Sequence, residues 1–97
     1  MATCKIKKPY EPGFAWTVNS VNTTGVTITL PTGSGTYLIV CGHNTNSANN
    51  GMWIYRASGS AFFNIGGGSG ITLTGNGATI TAKSASQNPQ LYYTKIG

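Results

Sequence analysis

The sequence predicts an all-β protein: an antiparallel β-sandwich, jelly-roll-like, of about eight short strands. Three observations carry this. Apolar residues alternate with Thr, Ser and Asn over most of the chain, the period-two pattern of half-buried strands. Glycine, 14 of 97 residues, recurs with turn-forming neighbours at the roughly eight-to-twelve-residue spacing of sandwiches and barrels. No segment carries a helical periodicity. A chain of 97 residues is one domain, and folding at this size buries roughly 60–65% of the unfolded surface, enough for one core.

Residues 1–13, polar, without periodicity and interrupted by Pro9 and Pro12, read as an N-terminal arm or linker; residues 14–97 read as the β-sandwich domain. Strands are expected at 14–21, 25–30, 36–42, 51–57, 60–65, 70–75, 78–83 and 90–96. The first two form a hairpin from Phe14 to Leu30, with its loop near Asn22 to Gly25. Phe14, Trp16 and Val18 share one face, and Val26, Ile28 and Leu30 share another of matching parity. Pro31 ends that run because it cannot donate to a ladder. Residues 36–42, apolar from Tyr37 to Cys41, read as a central strand buried on both sides. A polar loop, 42–51, with four Asn, then protrudes at one end of the sandwich.

The next hairpin turns at Ser58-Gly59. Pairing Ala57 with Ser60 sets Ile54 opposite Phe63, Met52 opposite Ile65, Tyr55 opposite Phe62 and Trp53 opposite Asn64. Both faces are then apolar, which suits a sheet covered on both sides: the second face packs on another subunit or stands open as a binding platform. Gly66-Gly67-Gly68-Ser69-Gly70 reads as a flexible turn. The hairpin 70–83 turns at Asn76-Gly77, a preferred type I′ pair. Pairing Gly75 with Ala78 places Leu73 opposite Ile80 and Ile71 opposite Ala82, with threonines on the other face. A one-residue slip would mix the two faces.

Composition removes most enzyme chemistry. Charged residues are 7% of the chain, Glu11 is the only carboxylate side chain and His43 the only imidazole, against about 25% charged in ordinary domains. Paired carboxylates for acid–base work and a carboxylate cage for calcium or magnesium are outside the reach of one chain. The protein is expected to be non-enzymatic, with no cofactor and no metal. The net charge of +5 arises because acids are missing; six Lys and Arg, three of them at Lys5, Lys7 and Lys8, do not make a nucleic-acid face, and no nucleic-acid partner is expected. No run approaches the ~18 apolar residues of a membrane span, so no membrane insertion is expected, and the start shows no apolar signal-peptide core. Cys4 and Cys41 do not read as a disulfide framework. The glycine run lacks the following Lys-Ser/Thr of a phosphate cradle. Thr-x-Thr pairs at 27–29, 72–74 and 79–81 resemble fragments of ice-binding faces, but short separate instances are explained by alternation in a half-buried sheet.

Taken together, Thr36-Tyr37-Leu38-Ile39-Val40-Cys41-Gly42, the polar loop, Met52-Trp53-Ile54-Tyr55, Ile71-Thr72-Leu73-Thr74-Gly75-Asn76-Gly77 and the closing Tyr92-Tyr93-Thr94-Lys95-Ile96-Gly97 resemble the small β-sandwich head domains that end phage tail fibres and receptor-binding proteins. The resemblance covers roughly residues 24–97. It implies a homotrimer at the virion surface, made in the host cytoplasm and acting extracellularly. It also implies attachment to other virion proteins through the N-terminal arm, and adhesion to a host surface glycan or protein. Candidate receptor-binding residues are His43, Asn44, Asn46, Asn49 and Asn50 in the polar loop, since rim loops carry recognition, with Trp53 and Tyr55 as stacking groups or as buried core. Alternative readings are a carbohydrate-binding module of a secreted protein and a capsid decoration protein.

Overall fold

The structure, a computed structural model, describes residues 16–97; the arm 1–13, Cys4 and Phe14 lie outside the described residues. Among the described residues eight strands form: β1 (Thr17–Ser20), β2 (Val26–Thr29), β3 (Thr36–Gly42), β4 (Gly51–Arg56), β5 (Ala61–Gly67), β6 (Ile71–Asn76), β7 (Thr79–Ser84) and β8 (Gln90–Lys95). A five-stranded sheet runs β1-β8-β3-β4-β5 and a three-stranded sheet β2-β7-β6; the named strands all pair antiparallel, and an isolated parallel bridge joins Asn22 to Lys83. The all-β sandwich class is as the sequence predicts. Within the larger sheet the order β8-β3-β4-β5 is that of a Greek key, three hairpin-linked strands with a later strand returning beside the first. The returning connection carries the β6–β7 hairpin.

Alternation builds the core. Tyr37, Ile39 and Cys41 of β3, Trp53 and Tyr55 of β4, and Leu91 and Tyr93 of β8 are buried facing Ile28, Ile80 and Ala82 of the smaller sheet. Aromatic contacts join neighbouring strands within the larger sheet. Tyr55 stacks on Phe62 with ring centroids 4.4 Å apart, and Tyr93 meets Tyr37 edge-on at 6.2 Å, both favoured aromatic geometries. The Tyr55 hydroxyl donates to the Gly77 carbonyl at 2.7 Å, tying the larger sheet to the turn of the smaller one. On the outer face of the small sheet, the threonines of all three Thr-x-Thr pairs lie together. Thr27, Thr81 and Thr74 occupy one rung, and Thr29 and Thr79 the next. This is the outward half of the alternation, only a few rungs deep.

Four local expectations are corrected. First, the hairpin from Phe14 to Leu30 does not form: β1 pairs with β8, and β2 pairs with β7 in the other sheet. Residues 21–22 carry the chain between layers. The Val21 amide donates to Pro89, and Asn22 accepts at its carbonyl from Ser84. The Asn22 side-chain carbonyl accepts from the amides of Thr24 and Gly25, an Asx turn, with Gly25 at φ +108°. Matching parity was compatible with the hairpin, but parity does not choose a partner.

Second, the β6–β7 register runs Asn76↔Thr79, Gly75↔Ile80, Thr74↔Thr81 and Leu73↔Ala82, so the turn residues are Gly77-Ala78. The inward and outward faces are unchanged, because the shift moves each partner by two positions. Gly77, at φ +60°, takes the first turn position, which a type II′ turn gives to glycine, and Gly75 faces inward in either register: an added Cβ there would sit 2.6 Å from the Tyr55 ring and hydroxyl. Third, Tyr55↔Phe62, Ile54↔Phe63 and Trp53↔Asn64 pair as expected, but Met52 pairs with Gly66, since a bulge at Ile65 displaces the ladder. Fourth, the glycine-rich segment is closely packed rather than a loose turn. Gly68, at φ +77°, lies so close to the Trp53 indole that no side chain fits. The Gly70 amide donates to Ala48.

Candidate recognition surface

The polar loop 42–51 is stitched into a fixed shape. Asn46 caps a short 3-10 helix, Ser47–Asn49, by accepting from the Ala48 amide. Its side-chain amide donates to the Ser86 hydroxyl at 3.0 Å. Asn49, fully buried, donates to the Ser86 carbonyl at 2.9 Å. Asn50 closes a reciprocal pair with His43: it accepts from the His43 amide at 2.7 Å and donates to the His43 carbonyl at 3.2 Å. Three of the four asparagines thus hold the loop to itself and to the segment before β8. Loop composition alone could not separate them from Asn44, which is exposed.

What this scaffold presents is a polar cleft lined by Gly42, His43, Asn44, Thr45, Asn88 and Gln90. The Thr45 amide donates to His43 Nδ1 at 3.2 Å. That contact places the proton of the neutral ring on Nε2. Asn88 and Gln90 went unnoticed at the sequence level because they lie far along the chain from the loop; only the β3–β8 pairing, with Gly42 opposite Gln90, brings them alongside it.

Trp53 and Tyr55 are in the core, at 7% and 0% exposure, so neither forms a surface platform. The apolar surface lies on the opposite face of the same sheet. One rung runs Val18, Tyr92, Val40 and Met52, and the next runs Leu38, Ile54 and Phe63. Phe63 is 65% exposed and bulged Ile65 55%. Trp16, 43% exposed, joins Val40 and Tyr92 around a shallow apolar depression. Five strands at about 4.8 Å spacing make this face about 20 Å wide. The central strand β3 is therefore fully covered on its inner side and only half-covered on its outer side. Cys41 points inward, and burial pushes its thiol up to about 12.

No family model, curated protein or solved structure matches the chain.

Proposed function

We propose that this chain is a non-enzymatic adhesion head of the phage tail-fibre type. It assembles as a homotrimer through the outer face of its five-stranded sheet and presents the loop 42–51 end to a host cell-surface receptor. One observation carries the reading: the apolar outer face built from Val18, Tyr92, Val40, Met52, Leu38, Ile54 and Phe63. Contiguous apolar patches beyond a few hundred Å² are rare on monomers and mark interaction sites. The resemblance to tail-fibre heads supplies the threefold state and the virion setting. The rigid polar loop, at one end of the sandwich, supplies a contact surface.

The test is native mass by light scattering over a wide concentration range, with adsorption of the purified chain to a panel of bacterial cells. A mass near three chains and saturable adsorption support the reading. A concentration-independent mass near one chain removes the assembly. A second reading, a carbohydrate-binding module acting as a monomer, is favoured by Trp16 and Tyr92, aromatic and exposed around one depression. It requires a monomer that binds saccharide and loses binding on Trp16→Ala.

A further inference from the structure

We infer that the cleft of His43, Asn44, Asn88 and Gln90 is a binding site for a neutral saccharide. This rests on the adhesion reading and deepens it by naming the residues and the ligand class. The first argument is which groups are available. Asn46, Asn49 and Asn50 are engaged in holding the loop. Among the described residues, the side-chain amides of Asn44, Asn88 and Gln90 make no hydrogen bond, and all three are exposed. Each offers two N–H donors and a carbonyl acceptor, the complement of a sugar hydroxyl, which both donates and accepts. With Nδ1 accepting from the Thr45 amide, His43 turns a single further donor, Nε2–H, to a ligand.

Charge supplies the second argument. The cleft lining contains no Lys, Arg, Asp or Glu, so it has no means of neutralising a sialic acid, a sulfate or a phosphodiester, and nothing to attract a cationic peptide. The third argument is rigidity. The two cleft walls, loop 42–51 and the segment before β8, are joined by both Ser86 hydrogen bonds, and Gln90 sits on a strand paired on both sides. A site whose walls are already ordered loses less entropy on binding.

The experiment titrates isotopically labelled full-length chain with a panel of neutral oligosaccharides built from glucose, galactose, rhamnose and N-acetylglucosamine, alongside sialylated and sulfated ones. It follows the side-chain NH₂ signals of Asn44, Asn88 and Gln90. The expected result is saturable shifts at these amides with a neutral saccharide. Asn88→Ala and Gln90→Ala should each weaken binding about fivefold, the equivalent of one net hydrogen bond, and the double variant about 25-fold, with native mass unchanged. Binding confined to acidic saccharides, shifts confined to Trp16 and Tyr92, or no binding across the panel overturns the inference. Adsorption to cells with no saccharide binding overturns the cleft alone and leaves the adhesion reading standing; loss of both takes that reading with it.

Discussion

At the scale of single residues, space and backbone conformation act separately, and two neighbouring glycines show it. Gly75 lies beneath Tyr55, where a Cβ would approach within 2.6 Å of the ring. Gly77 has open space around it but a φ of +60°. Gly75→Ala should therefore cost about 1–3 kcal/mol through overpacking. Gly77→Val should cost about 1–2 kcal/mol through the left-handed backbone alone, and Gly77→Asn, which tolerates that region, much less. Urea titrations of the three variants check this; equal losses for Val and Asn at position 77 would show that conformation is not the cause. Cys41 gives a prediction in pH. Its folded value of about 12 lies above the ordinary 9.0, so the thiol's contribution to stability is complete below about pH 9. That contribution declines as pH rises toward 12, because the unfolded chain ionises there first. In a Cys4→Ser background, thiol reagents should label Cys41 at neutral pH only as fast as the chain opens, and labelling independent of denaturant would contradict its burial.

At the scale of elements, the β6–β7 hairpin divides its faces. Ile80 and Ala82 are fully buried, Leu73 and Ile71 pack partly against the same core, and Thr72, Thr74 and Thr81 face outward. Ile80→Ala should cost about 2–5 kcal/mol, while Thr72→Ser should stay under about 1 kcal/mol. Chemical denaturation at both positions checks the contrast, and comparable losses would mean that the hairpin's faces are assigned the wrong way round. The loop 42–51 is an element of another kind, with its shape set by side chains rather than by a ladder. Removing both Ser86 contacts by Asn46→Ala with Asn49→Ala should leave the strands intact by circular dichroism. Amide exchange in residues 43–50 should rise, since local opening follows the loss of local hydrogen bonds.

At the scale of the molecule, the two outer faces differ in chemistry. The small sheet turns threonines outward, while the large sheet turns out aliphatic and aromatic side chains along two rungs. The proposed trimer on the large sheet would cover the second and leave the first to solvent. Phe63→Lys or Val40→Lys places a charge in the proposed contact, and burying an unpaired ammonium is costly. Either variant should shift the native mass toward one chain while the strand signature in circular dichroism persists. A folded Val40→Lys protein with an unchanged mass would place the subunit contact elsewhere.

The succession of strands along the chain, their approximate limits and the inward face of the 70–83 hairpin follow from period-two alternation and turn residues, which are local properties. The Tyr55–Phe62 and Ile54–Phe63 pairs were legible for that reason, because a four-residue connection leaves few registers. Partner choice across sheets was not legible. Thr17–Ser20 carries a parity that fits either β2 or β8, and only the layer crossing at Val21 and Asn22 separates them. The same holds for the surface. The polar loop was recognisable as a rim loop, but which of its asparagines are engaged depends on Ser86, and the cleft depends on Asn88 and Gln90. All three lie some forty residues away in sequence and are brought near only by antiparallel pairing of β3 with β8. Whether an apolar strand face lies inside or outside is likewise a tertiary decision: in the 51–56 strand, both faces read apolar. The packing of Trp53 on Gly68 and of Tyr55 on Gly75 turned the aromatic face inward, because only glycine at those two positions leaves room for the rings.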